Sequence, residues 1–220
     1  MKIRMHKAFG ETSVKPKCKK LLLGFCLYFL AKCAKILYLG YHKTIKIQTV
    51  NDAVAPDRTF PTAATIYVFW HAKTFLILPR YRDFRISIFT LLNFKNLFYD
   101  QLCRLFGYQT VPVTSEMKAT LLMRRLLEAG FHSAIALDGP KGPAGIIRPG
   151  ALYLSQKTKI PIVAVKVECK KSFRLRSRWD HYEIPYPFSQ VTVVCSRPMQ
   201  VDKDNAAEVE EEIKEFLGHC

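Results

Sequence analysis

Residues 65–80 read T-I-Y-V-F-W-H-A-K-T-F-L-I-L-P-R. The run over 65–70 is rich in β-branched and aromatic residues and has no polar alternation, which marks a buried strand rather than a helix. It ends at His71, where the pattern becomes helical. The same exchange recurs down the chain. Strand-like runs fall at 44–50, 86–92, 110–113, 132–137, 160–168 and 190–195, and helical patterns at 95–107, 117–129, 150–159 and 205–217. Gly107 and Gly130 stand as C-caps, and Thr114 or Ser115 caps the helix over 117–129. Strands alternating with helices define an α/β chain: a single domain with a mixed, largely parallel sheet flanked by helices.

One segment lies outside this pattern. Residues 21–41, L-L-L-G-F-C-L-Y-F-L-A-K-C-A-K-I-L-Y-L-G-Y, are about as long as a membrane-crossing helix. Lys32 and Lys35 interrupt the run and share a helical face. Burying both in a bilayer costs a few kcal/mol each, whereas a helix lying in the interface sets them against headgroups. An interfacial, uncleaved anchor is therefore expected, with a signal peptide or a core helix as rivals. The charge distribution agrees. The net charge is +16 over 220 residues; residues 1–50 hold eleven Lys or Arg against Glu11, and residues 201–220 hold seven acids against two lysines. A basic front end beside an apolar helix calls for an anionic partner, and that helix argues against nucleic acid. The cysteines at 18, 26, 33, 103, 169, 195 and 220 form no C-x-x-C pair. Zinc spacing is absent, and they read as reduced thiols of a cytosol-facing protein.

Three places carry chemistry. His71 stands at a strand end, where ligands of open α/β sheets collect and a neutral imidazole is able to take a hydroxyl proton. Residues 138–150, D-G-P-K-G-P-A-G-I-I-R-P-G, form a rigid loop after another strand, with backbone open to an anion and cations at Lys141 and Arg148. Asp138 either orients His71 or caps the turn. The basic, aromatic stretch over 170–182, K-K-S-F-R-L-R-S-R-W-D-H-Y, suits a membrane interface, nucleic acid or a solvated hairpin. Asp180 and His181 are adjacent there. No G-x-S-x-G elbow or Walker loop occurs.

Together these residues resemble the lysophospholipid acyltransferase superfamily, most of all a bacterial branch long catalogued as a domain of unknown function. F-W-H (Phe69–His71) is similar to its first block. L-D-G-P-K-G-P-A-G-I-I-R-P-G (137–150) is similar to its D-G-P-R-G-P block, and T-K-I-P-I-V-A-V (158–165) and I-P-Y-P-F-S (184–189) resemble further blocks. The resemblance implies acyl transfer from a thioester to a lipid hydroxyl, with His71 as general base. The chain departs from the superfamily's His-x-x-x-x-Asp pattern. Leu76 holds the acid's position, Lys95 stands about where the branch carries one, and V-P-V-T-S-E (111–116) replaces R-G-S-S.

The expected organisation is a loose basic segment (1–20), an amphipathic membrane anchor (21–41), an acyltransferase-like α/β domain (42–200) and an acidic helix (201–220). The expected catalytic residues are His71 and Asp138, with Asp138 the foremost carboxylate to reach the imidazole. Gly139, Lys141, Gly142 and Arg148 are expected to bind substrate. No metal or cofactor is implied; acyl-CoA or acyl-carrier protein is the donor, and a lysophospholipid or lipid A-type hydroxyl the acceptor. The implied location is the cytoplasmic face of the inner membrane, held peripherally or by a single anchor. A weakened or inactive relative that binds lipid or anionic partners is the alternative.

Overall fold

A computed structural model of the chain describes residues 16–51, 63–91 and 96–218. The basic segment up to residue 15, the loop with Pro56 and Pro61, and Lys95 lie outside the described residues. The apolar N-terminal helix, α1, spans Pro16–Lys43. Then follow β1 (Lys46–Val50), β2 (Ile66–Phe69), a single 3₁₀ turn (His71–Lys73), α2 (Thr74–Arg80), β3 (Ile86–Leu91), α3 (Leu97–Leu105), β4 (Gln109–Val113), α4 (Glu116–Glu128) and β5 (His132–Ala136). The chain continues through α5 (Gly150–Thr158), β6 (Ile162–Cys169), the hairpin β7 (Ser172–Arg174) and β8 (Glu183–Pro185), β9 (Gln190–Cys195) and α6 (Ala206–Leu217). Ser115 is the α4 cap, accepting the Lys118 N–H.

Seven strands form one sheet in the order β1-β9-β6-β2-β5-β3-β4. Neighbours run parallel except β6 and β9, so the sheet is mixed and largely parallel. β2 lies in its interior, paired with β5 and β6. Successive side chains of a strand point to opposite faces, and both faces of β2 are covered. Tyr67 and Phe69 join a core with Leu76, Leu78, Phe106 and Val163. Ile66 and Val68 join the other, with Met123, Leu154, Ile162 and Ile213. Both sides being dry is why this strand shows no polar alternation. The acidic helix α6 belongs to the second core through Val209, Ile213 and Leu217, and the Trp70 indole N–H donates to the Gly218 carbonyl at 2.9 Å, tying its end to the strand that leads to His71.

Helix α1 is two-faced. Ala31 is buried, and Ala34, Tyr38 and Tyr41, at helical spacing from it, pack on the first core. The Tyr38 hydroxyl donates to the Phe75 carbonyl and Tyr41 to that of Pro185. Phe25, Phe29 and Ile36 repeat on the opposite side at 68%, 62% and 71% exposure. The two lysines part company. Lys35 donates to the Leu105 carbonyl at the C-terminus of α3, where unpaired carbonyls favour a cation, while Lys32 lies over the Tyr28 ring. Laying both against headgroups, as their spacing suggested, is not what the fold does with Lys35.

Candidate active site

His71 follows β2 directly and begins the 3₁₀ turn. That turn is closed by the Lys73 N–H on the Trp70 carbonyl and by the Thr74 hydroxyl on the His71 carbonyl. It sits at the carboxyl edge of the parallel strands. Asp138 comes from the same edge, just past β5, where the Leu137 N–H donates to the Phe69 carbonyl at 2.9 Å.

The two carboxylates near His71 have different tasks. Asp138 Oδ1 accepts the His71 backbone N–H at 2.9 Å. The imidazole is held instead by Asp180, whose Oδ2 lies 2.7 Å from Nδ1. The expectation that Asp138 reaches the ring is thus corrected: Asp138 pins the backbone at the strand-to-helix turn, and a residue from the β7–β8 hairpin takes the ring. The position of the superfamily's acid, Leu76, is buried in the core among Tyr67, Phe69 and Phe106.

Asp180 is fully buried, while the His71 side chain is 26% exposed. Burial pushes the Asp180 carboxyl up, but two hydrogen bonds from Arg178, both 2.9 Å, and the one to His71 outweigh it and hold the group below the ordinary carboxylate range. An ionised Asp180 makes Nδ1 the donor and leaves the lone pair on Nε2, on the other side of the ring. Asp138 goes the other way: burial pushes its carboxyl up despite the backbone N–H it accepts from His71. Environments that drive neighbouring carboxyls apart in this manner divide their roles.

The hairpin is fastened close by. Lys73, two residues after the histidine, pairs with the buried Glu183, which also accepts from Ser172. Burial pushes Glu183 up, and Lys73 and Ser172 more than reverse this, leaving it depressed. The rings of Trp179 and Tyr182 flank His71, with centroids at 5.3 and 6.2 Å, and the Arg178 guanidinium lies 4.9 Å from the Tyr182 centroid.

The glycine-proline loop reaches the same place. Gly142 is buried at φ +69°, and a Cβ there would meet Trp179 Cε3 at 2.4 Å. A residue with any side chain would displace the indole that lies beside the histidine. Arg148 donates to the Gly142 carbonyl, and its stem passes beside Gly139, bracing the loop across its width. Lys141 is exposed. Among the described residues no group of three or more His, Cys, Asp or Glu side chains gathers that could hold a metal ion. Burial pushes the Cys103 and Cys169 thiols up to about 12, so neither is a nucleophile near neutral pH.

Asp180, Arg178, Lys73 and Glu183 were not assembled from the sequence. Asp180 was noticed beside His181, which is exposed; its true partner is 109 residues away. The local signal was Arg178, two residues before it and of opposite charge.

The fold is acyltransferase-like. It is similar to that of the 1-acyl-sn-glycerophosphate acyltransferase PlsC of Thermotoga maritima, over 94% of this chain and 83% of that one, with TM-score 0.51 and 13% identity. At such identity it is the architecture that is shared. In sequence the chain is similar to an uncharacterized protein of Rickettsia prowazekii (strain Madrid E), 24% identical over 221 residues and covering 96% of each chain. No protein-family profile matches.

Proposed function

We propose that the protein is a membrane-associated O-acyltransferase. It moves a fatty acyl group from acyl-CoA or acyl-carrier protein to a hydroxyl of a lysophospholipid or lipid A-type acceptor, with His71 as general base. The observation that carries this reading is the 2.7 Å contact between His71 Nδ1 and the buried, Arg178-braced Asp180, at the strand edge of an acyltransferase-like fold. Nε2 takes the acceptor's hydroxyl proton as its oxygen attacks the thioester carbon. The new C–O ester bond forms, the C–S bond breaks, and the departing thiolate is reprotonated from the imidazolium. Asp180 holds the ring in the required tautomer and faces the positive charge that develops on it. Asp138 keeps the turn in place, and Gly139, Lys141, Gly142 and Arg148 receive an anionic part of a substrate. No resident metal or cofactor is required. Helix α1, whose stretch Leu23–Lys43 has mean hydropathy 1.5 and is long and apolar enough to cross a membrane, holds the protein on the lipid at the cytoplasmic face.

A non-catalytic relative was suggested by Leu76 in place of the usual acid. Asp180 stands on the imidazole, and that reading, which rested on Lys95 as well, loses most of its ground. The test is acyl transfer by the purified protein from labelled acyl-CoA and acyl-carrier protein to lysophosphatidic acid and lipid A precursors. The His71→Ala variant is expected to lose at least about a hundredfold in rate. Full activity in that variant refutes the proposal.

A further inference from the structure

The turn after β8 is built in a way that no burial among the described residues explains. Phe188 has φ +64°, and among the described non-glycine residues with positive φ it is the apolar one. A bulky side chain in that conformation is strained, at a cost of about 1–3 kcal/mol. The strain brings no burial in return: Phe188 is 76% exposed, and Tyr186, on the same turn, 51%. The turn is nevertheless firmly held, by the Ser189 N–H on the Tyr186 carbonyl at 3.1 Å and the Phe188 N–H on the Thr44 carbonyl at 3.1 Å.

Its neighbours are lysines. The Tyr186 N–H donates to the Lys171 carbonyl, the Lys170 N–H to the Gln190 carbonyl and the Lys46 N–H to the Ser189 carbonyl. Lys43 precedes the Thr44 that receives Phe188. All of these lysines are exposed, and none forms an ion pair among the described residues. The turn also abuts the end of α1, through the Tyr41 hydroxyl on the Pro185 carbonyl, and one turn before Tyr41 that helix exposes Leu37 at 74%. Exposed aromatic residues with exposed lysines on the adjoining backbone, next to the end of an apolar helix, match the headgroup region of an anionic bilayer.

We propose that the 186–188 turn is a second membrane-inserting element, with Tyr186 and Phe188 entering the interface and Lys43, Lys46, Lys170 and Lys171 meeting anionic headgroups. The inference rests on the membrane association of α1. It adds a consequence for the site: Tyr186 lies within six residues of Asp180, at most about 20 Å of chain, so the hairpin that supplies the orienting acid is also seated on lipid.

The test uses the full chain with Phe188→Trp, mixed with vesicles of phosphatidylglycerol and phosphatidylcholine, with and without brominated acyl chains. The emission that position 188 adds over the wild type is expected to shift to the blue and to lose most of its intensity to brominated lipid. Lys170→Gln/Lys171→Gln is expected to lower partition to these vesicles on the order of fivefold per lysine at low salt, and to leave binding to pure phosphatidylcholine unchanged. Wild type that stays in solution removes the membrane reading and this inference together. Wild type that binds while the added emission stays unquenched overturns the inference and leaves the reading standing. Shielding of position 188 by an acidic acyl-carrier protein in place of vesicles also overturns it.

Discussion

Asp180→Asn isolates what the carboxylate does for the histidine. The carboxyl accepts three hydrogen bonds: two from Arg178, each 2.9 Å, and one from His71 Nδ1 at 2.7 Å. An amide of the same shape has one accepting end. Arg178 reaches both oxygens, Nε on Oδ1 and Nη2 on Oδ2, and Oδ2 also takes Nδ1–H, so an amide turns NH₂ toward the guanidinium whichever way it lies; with NH₂ in the Oδ2 position it faces Nδ1, which must then accept. The ring proton moves to Nε2, and the atom that should take the substrate proton is already protonated. In the serine-protease template the same exchange costs about 10⁴ in kcat, or about 5.4 kcal/mol in barrier, and a loss of about 10³–10⁴ is expected here. The fold should suffer less. The Arg178 side chain is 46% exposed and turns to water, so the penalty is on the order of 1–3 kcal/mol. Initial rates of acyl transfer, with thermal melts of the same preparations, separate the two effects. Asp138→Asn is the control: its amide oxygen still accepts the His71 backbone N–H, and a much smaller loss is expected. Activity of Asp180→Asn within about tenfold of wild type, in a folded sample, refutes the tautomer argument.

Two further outcomes follow from the packing around the site. Lys73→Met leaves the buried Glu183 with only the more distant Arg174, at 3.9 Å, as a cation and is expected to cost about 2–4 kcal/mol, largely restored by adding Glu183→Leu. Asp180 and Glu183 have folded pKa values below their unfolded ones, so the stabilisation they bring is complete above about pH 4 and lost as pH falls through the lower folded values. The deficit of Lys73→Met, followed by circular dichroism, should therefore shrink on acidification toward pH 3; a deficit that stays constant contradicts this. Gly142→Ala puts a methyl 2.4 Å from the Trp179 ring on backbone at φ +69°. It is expected to destabilise by about 1–3 kcal/mol and to lower activity further than stability alone explains, because the indole that flanks His71 is displaced. A variant with wild-type melting and turnover would show that the loop does not bear on the site.

Much of the architecture is local and was legible. The apolar runs at 65–70 and 160–168 lack alternation because both faces of an interior strand are dry, and their composition states that condition without any partner being known. His71 was recognisable because a strand end needs no tertiary information, and the loop at 138–150 because its prolines and glycines restrict the backbone wherever they occur. Helix α1 was legible as an apolar helix, but Lys35 was not: whether a lysine meets a headgroup or the end of another helix depends on where α3 comes to lie.

The site's central pairing belongs to the other kind of information. Asp180 and His71 are 109 residues apart, and no periodicity connects them. The pattern of the family the sequence resembles sets the acid five residues on, where the helix instead turns Leu76 into the core. What determines the pairing is the docking of the β7–β8 hairpin, through Lys73 and Glu183 and through Gly142 against Trp179, which buries a carboxylate at the edge of β2 with its half-exposed arginine beside it. The chain by itself specifies which segments are strands, where the base stands and which loop is rigid, since these follow from the covalent preferences of neighbouring residues. The acid that orients the base follows from burial and charge pairing between distant segments, and these come into being only when the chain has folded.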